Sequence, residues 1–515
     1  MAIKTFAAID VGSFELTLKI YEFSGKNRMK EVDCLATRLA LGTDTYADGK
    51  ISNENIEELC HVLGGFAQVM KTYKVDSYRA YGTSAIRETQ NYTIVLDKIA
   101  QRTGIHVEIL SNSEQRFLDY KSVASQGENF QKFLVEPTAI VDIGGGSLQI
   151  SLFEQDALVS TQNLRLGVLR MQERLQHLRA GREQLTKLID EMATAQLTPY
   201  RKLYLGDKKI KNLIIIDDYI SPWAVRAAAQ RKTEAIVSKQ QFEELREQIM
   251  NHSEYETARA MDIAQEKVPL MEISMVLIQR IAQLMGAECI WAPGVSLCDG
   301  MAYEYGENNK LLSLQHDFER DIVACASNIS KRYQGSRKRA ETLGKIAGTI
   351  FDSTKKIHGL GKRERLYLEI ATILHDCGKY ISLNNIGERS YDIVMATEII
   401  GLSHKEREIV ANVVRFNHSE FIYFGQQKNG SSALDEASYL TVAKLTAILR
   451  VANSLDRSHK QKMKEVKARL VDNELQLSLD SNENILLEQA FFADSAAFFE
   501  EVFSIHPILK QKKTI

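Results

Sequence analysis

Proline is scarce in this chain, with 6 residues in 515, which argues against long extended linkers. The six cysteines, Cys34, Cys60, Cys289, Cys298, Cys325 and Cys377, are scattered, with no CxxC pair and no zinc-ligand spacing. That excludes a disulfide framework and a zinc ribbon, and it fits reduced thiols. Net charge is nearly absent: 65 basic and 67 acidic side chains leave −2. No global field therefore draws the protein to nucleic acid or membrane, and any polyanion binding must come from a local cluster. No run reaches the ~18 apolar residues of a membrane helix. The apolar N-terminal stretch is interrupted by Asp10 with no small-residue cleavage site after it, so the expected location is cytoplasmic, with no membrane and no nucleic acid as partner.

What is present is ordinary globular composition, 44% hydrophobic and 26% charged, over a length too great for one core. Residues 3–9 read as a buried strand, Asp10–Val11–Gly12–Ser13 as a turn, and the following residues to Phe23 as a second strand. Ile56, Leu59, Leu63, Phe66, Val69 and Met70 recur at helical spacing and predict a helix over 52–74. A strand at 77–82, a helix over 84–103, a strand at 105–110 and a helix over 113–125 follow. This alternation predicts α/β architecture with mixed sheets.

The opening pattern then recurs. Residues 138–143 form an apolar strand with Asp142 near its end, Gly144–Gly145–Gly146–Ser147 turns, and 148–153 is the next strand. An internal repeat of this kind predicts a duplicated lobe with a cleft between the copies. The expected domains are lobes at 1–126 and 127–308, a helical domain at 312–459, and a small α+β region at 460–515 with a hairpin at 466–480 and an aromatic-rich helix over 484–504. Two glycine turns facing each other suit a chain of phosphates, because turn amides aim at anionic oxygens and glycine lets the ligand approach. Gly12, Ser13, Gly144, Gly145, Gly146 and Ser147 are the candidate phosphate-binding residues. Asp10 and Asp142 are candidate ligands for Mg²⁺, a hard cation that prefers oxygen.

AAIDVGS and AIVDIGGGS, with YGTSAIRETQN and LSNSEQRFLDYKSV between them and NLRLGVLRMQE after them, resemble the signature segments of the exopolyphosphatase / guanosine pentaphosphate phosphatase family, and the similarity covers nearly the whole chain. The resemblance implies an actin-like (ribonuclease H-like) two-lobed N-terminal half. It implies removal of terminal phosphate from polyphosphate or guanosine pentaphosphate, with Mg²⁺ or Mn²⁺, by a homodimer. It also implies that Arg87 grips a phosphate and that Arg170 belongs to the same network.

The chain departs from that pattern at catalytic positions. The family's water-activating glutamate falls at Gln115, and a second acidic residue after the glycine turn falls at Gln149. An amide cannot act as a base at neutral pH, and losing a positioned base costs about 10²–10⁴-fold in rate. Glu114 and Glu15 are the candidate replacements. Phe14–Glu15 stands where small polar residues are usual, Ile216–Asp217–Asp218–Tyr219 replaces a glycine-rich loop, and Cys298 stands where an arginine is usual. A catalytically weakened regulator that binds the same ligands is therefore the alternative to a hydrolase.

His375–Asp376 and Asp456 resemble the ligands of an HD-type all-α domain, in which imidazole and carboxylate hold divalent metal. Arg339, Arg389 and Asn417 occupy places where such domains carry histidine, with His404 and His418 nearby. A metal phosphohydrolase in this domain, with the N-terminal lobes as sensor, is a third reading, and a residual His–Asp pair in a helical scaffold is the plainer one. Basic runs at 331–345 and 460–469 suit either a polyanion path or solvated helix faces.

Overall fold

Among the described residues, eleven strands of the N-terminal part form two sheets built on one plan. The first holds β1 (Lys4–Val11), β2 (Glu15–Phe23), β3 (Met29–Arg38), β4 (Ser77–Gly82) and β5 (Glu108–Ile109), in the order β3-β2-β1-β4-β5. The second holds β6 (Thr138–Ile143), β7 (Leu148–Glu154), β8 (Ala157–Leu164), β9 (Asn212–Asp217), β10 (Ile236–Ser238) and β11 (Cys289–Trp291), in the order β10-β11-β9-β6-β7-β8. In both, the strand before the glycine bend pairs antiparallel with its hairpin partner and parallel with a later strand, β1 with β4 and β6 with β9. The computed structural model describes residues 3–25, 27–155, 157–178, 180–231, 234–313, 316–426 and 434–512. It separates into two compact units, Met1–Asp317 and Phe318–Ile515.

β1 is apolar on consecutive positions because both its faces are covered. Ala7, Ile9 and Val11 join one core with the helix Asn53–Thr72. Phe6 and Ala8 join another with Tyr21, Leu118, Leu297, Cys298, Met301 and Ala302. The helix Leu297–Asn308 therefore packs on the first sheet, although its sequence position assigned it to the second lobe. It also lies against the helix Asn112–Ala124 so closely that a Cβ at Gly300 would stand 1.9 Å from the Leu118 carbonyl oxygen. That crossing fixes the helix bearing Gln115. The span Gln265–Met285, apolar and long enough to cross a membrane by composition, consists mostly of the helix Val268–Met285, a core element of the second sheet's layer.

Two predicted elements differ. The helix expected over 84–103 is two, Ser84–Glu88 and Tyr92–Thr103, because Thr89 is extended (φ −72, ψ 137). The Thr89 hydroxyl accepts the Ile51 amide at 3.1 Å and the Asn91 amide donates to the Ile51 carbonyl at 2.9 Å. The strand expected at 105–110 contracts to Glu108–Ile109, paired only with the end of β4.

The second unit is mainly helical, with the helices Phe318–Arg332, Arg337–Ser353, Lys362–Leu374, Ile386–Ala396, His404–Phe416 and Glu436–Ser454 among its elements. It closes with the hairpin β12 (Glu465–Val471) and β13 (Glu474–Asp480), the helix Leu486–Phe503, and β14 (His506–Lys512), which adds parallel to β13.

Candidate functional site

Each glycine bend is shaped by what surrounds it. In the second bend the Gly144 amide donates to the Ser147 carbonyl at 3.0 Å. The carbonyls of Gly144 and Gly145 accept the amides of Val168 and Arg170, both at 3.1 Å, from the first turn of the helix Val168–Leu175. The Gly146 carbonyl accepts Arg170 Nε at 2.9 Å. In a planar trans peptide the N–H points opposite to the C=O. With three consecutive carbonyls turned to the helix, the amides of Gly145, Gly146 and Ser147 point the other way. That arrangement suits an anion.

The two bends meet. Tyr46 Oη lies 2.9 Å from Ser13 Oγ and donates to Ser84 Oγ at 3.0 Å, and the Ala85 amide donates to Ser13 Oγ at 3.2 Å. A Cβ at Gly146 would stand 2.1 Å from Ser84 Oγ and 2.3 Å from Tyr46 Oη, and one at Gly145 would stand 3.0 Å from the Ser13 Cβ. The first bend, at Ser13, thus packs against the second, at Gly145 and Gly146, and the seam they share is the candidate groove.

Two guanidinium groups border it. Arg87, on the helix Ser84–Glu88, donates to the Leu110 carbonyl at 2.7 Å and reaches Gln115 Oε1 at 3.4 Å. Arg170 pairs with Glu88 at 2.6 Å, and its guanidinium carbon lies 4.4 Å from the centre of the Tyr46 ring.

The floor of the groove is acidic. Asp10 and Asp142 sit at the ends of β1 and β6, and each has one buried carboxylate oxygen without a hydrogen-bond partner. Enclosure, with the charges of Asp218, Asp142 and Glu15, pushes the Asp10 carboxyl up to about 8. Enclosure and Asp218 push Asp142 up to about 7. Asp218 follows β9 directly, and burial, with the charges of Glu15 and Asp217, raises it to about 6. Its neighbour Asp217 instead caps the helix Ile220–Arg231, accepting the amides of Ile220 at 2.9 Å and Ser221 at 2.8 Å. Asp119 is not among the sequence-predicted site residues. It is buried at 4% exposure, one of its oxygens lacks a partner, and it lies within hydrogen-bonding reach of Asp142. Its position one helical turn after Gln115 was the available signal.

Gln149 stands opposite Asp142 in the β6–β7 pairing, 2% exposed, with its Oε1 unpartnered. The two candidate replacement bases are engaged elsewhere. Glu114 closes a capping box, accepting the Ser111 amide at 3.0 Å and hydroxyl at 2.6 Å, and Glu15 pairs with Lys267 at 2.6 Å. Among the described residues no three His, Cys, Asp or Glu side chains are grouped to hold a metal unaided. Mg²⁺ commonly binds through one or two carboxylates plus water and phosphate oxygens, and the orphaned oxygens of Asp10 and Asp142 fit that demand.

In the second unit His375, Asp376 and Asp456 do converge, but around Arg339. The guanidinium lies 2.7 Å from His375 Nε2, 3.5 Å from an Asp456 oxygen and 3.9 Å from an Asp376 oxygen, and donates to Asn453 at 2.5 Å. A guanidinium only donates, so Nε2 accepts and Nδ1 donates to the Thr372 carbonyl at 2.8 Å. Burial and the adjacent Arg339 are consistent with this neutral ring: burial, the larger cause, takes His375 down to about 3. His418 reaches the His375 carbonyl at 2.7 Å. His404 and Arg389 lie outside the cluster, with Arg407 and Asp392 as their partners. The expected metal ligands are here an internal ion network. Of the basic runs, Arg339 is buried and Lys462 is tied to Glu488 at 2.9 Å.

Residues 21–308 match the sequence profile of the Ppx/GppA phosphatase family, and residues 323–495 match that of Ppx/GppA phosphatase, domain III. A guanosine-5'-triphosphate,3'-diphosphate pyrophosphatase of Vibrio atlanticus is 22% identical over 493 residues, covering 92% of this chain and 91% of the relative. The corresponding protein of Photobacterium profundum is 22% identical, covering 86% of each. Among solved structures, an exopolyphosphatase from Cytophaga hutchinsonii superposes with a TM-score of 0.53 at 20% identity, over 60% of this chain and 100% of that one. The Aquifex aeolicus member of the Ppx/GppA family gives 0.50 at 17% identity, over 60% and 99%. These likenesses support the actin-like two-lobed fold.

Proposed function

This chain belongs to the Ppx/GppA phosphatase family, and from that premise we propose that its inter-sheet groove hydrolyses phosphoanhydride bonds, releasing the terminal phosphate of inorganic polyphosphate or of guanosine 5'-triphosphate 3'-diphosphate. The observation that carries the reading is the meeting of the two glycine bends through Ser13, Tyr46 and Ser84, with Arg87 and Arg170 at the rim.

The amides of Gly145, Gly146 and Ser147 and the hydroxyls of Ser13 and Ser147 bind equatorial phosphate oxygens. Arg87 and Arg170 offset the charge that spreads over those oxygens as the transferred group loosens. Mg²⁺ or Mn²⁺, when bound by Asp10 and Asp142, neutralises charge between the carboxylates and the phosphates. The protein works as a cytoplasmic homodimer. Its second unit, which resembles an HD-type domain, serves as a scaffold because Arg339 fills the place a metal would take.

Phosphate release from polyphosphate and from guanosine 5'-triphosphate 3'-diphosphate, with Mg²⁺ or Mn²⁺, tests this. Metal-dependent turnover abolished by Arg87→Ala supports it; tight binding with no release overturns it. The second reading, a binding regulator with weakened hydrolysis, draws on the amides at Gln115 and Gln149, and an inactive wild type revived by Gln115→Glu with Gln149→Glu would establish it.

A further inference from the structure

Gln115 cannot take a proton from water, and the two candidate replacement carboxylates are already engaged. Glu114 is spent on the Ser111 cap and Glu15 on Lys267. The helix Asn112–Ala124 nevertheless delivers a carboxylate to the groove. Gln115 faces the groove through its contact with Arg87. On a helix the residue four positions later shares that face, and here it is Asp119.

Asp119 is buried, has an oxygen that no described residue satisfies, and reaches Asp142 beside the second glycine bend. Burying a carboxylate with an unsatisfied oxygen costs stability, so the position calls for a ligand that completes it. The close crossing at Gly300 holds this turn in place, because the neighbouring residue Leu118 is the one in contact.

Building on the hydrolase reading, we propose that Asp119 orients the attacking water in this chain, replacing a glutamate at position 115, while the Gln115 amide remains as a neutral partner to Arg87. The water oxygen bonds to the terminal phosphorus and the bond from that phosphorus to the bridging oxygen breaks, leaving the electron pair on the bridging oxygen. One water proton stays on the released phosphate, and the other passes to the departing oxygen or to solvent. The transition state of such a transfer is loose, so alignment of the water contributes more than its full deprotonation.

The test is the kinetics of Asp119→Asn, Gln115→Glu and the double variant on polyphosphate and guanosine 5'-triphosphate 3'-diphosphate. Asp119→Asn is expected to lower kcat by about 10²-fold or more with little change in KM. The double variant is expected to recover about tenfold or more of the loss. Burial and the charge of Asp142 hold the Asp119 carboxyl well above the ordinary carboxylate range, so it stands protonated against Asp142; the asparagine keeps the side-chain shape and a donor to Asp142, and its melting temperature is expected to match that of wild type. Wild-type turnover in Asp119→Asn, a lowered melting temperature, or no recovery in the double variant overturns the role of Asp119 and leaves the hydrolase reading standing. A wild type that releases no phosphate from either substrate overturns both.

Discussion

The Arg339 guanidinium lies 2.7 Å from the Nε2 atom of His375, inside a ring of Asp376, Asp456 and Asn453 and at 2% exposure. A cation of the protein's own thus occupies the centre that a sequence reading assigns to a divalent metal. Removing one member of a buried ion network leaves the others uncompensated, at a cost of about 3–5 kcal/mol. Arg339→Ala is expected to lower the unfolding free energy of the helical unit by that order, read from denaturant titration, and elemental analysis of the wild type is expected to find no metal that depends on His375. A metal lost on His375→Ala would contradict this account.

Gly146→Ala should act at the groove. Its methyl group would stand 2.1 Å from Ser84 Oγ and 2.3 Å from Tyr46 Oη, so the two bends must separate. Overpacking of this kind costs about 1–3 kcal/mol. A fall in melting temperature is expected together with loss of phosphate release, and full activity in this variant would show that the bends need not touch.

Glu88 holds Arg170 at 2.6 Å while its other oxygen accepts the Ser84 hydroxyl at 2.8 Å. An anionic ligand competes with that carboxylate for the guanidinium. Glu88→Gln keeps a hydrogen-bonding partner and removes the charge, and a partly exposed pair is worth about 1 kcal/mol. Polyphosphate is expected to bind up to about fivefold more tightly, measured by calorimetry. Weaker binding would mean that Glu88 positions Arg170 for the ligand.

The acidic floor gives a pH signature in the cation-free protein. The folded-state values of about 8 for Asp10 and about 7 for Asp142 lie above the ordinary 3.8, so near neutrality the folded state binds more protons than the unfolded one. Stability therefore falls as pH rises toward 8. The buried rings of His375 and His418, whose values are lowered from 6.5 to about 3 and about 4, add an opposing slope around pH 6.5 that fades once the unfolded rings have lost their protons, by about pH 7.5. Melting in a chelator from about pH 7.5 to about 8.5 should show the decline. Asp10→Asn should flatten it, and Mg²⁺ should stabilise most at the alkaline end. A melting temperature that rises over this range would refute the assignment.

Much of the groove was legible in the chain itself. The Asp–x–Gly–Ser and Asp–x–Gly–Gly–Gly–Ser turns lie between strands at both sites, as expected, because a tight turn is encoded by adjacent residues. The break at Thr89 was not legible, since it depends on hydrogen bonds to Ile51 from a distant segment. Nor was the return of the helix Leu297–Asn308 to the first sheet, which is fixed by the apolar face that Phe6 and Ala8 present. The expectation that Glu114 or Glu15 would supply the missing carboxylate met competing partners, Ser111 and Lys267, that only packing brings near.

By itself the sequence determined the duplicated hairpins and the placing of glycine and serine at their tips, because these are properties of neighbouring residues and of periodicity. The tertiary structure alone decided which charges share a site: Asp119 beside Asp142, Arg170 against Glu88, Arg339 among His375, Asp376 and Asp456. Charge interactions depend on distance and burial, and both are set by contacts between segments far apart along the chain.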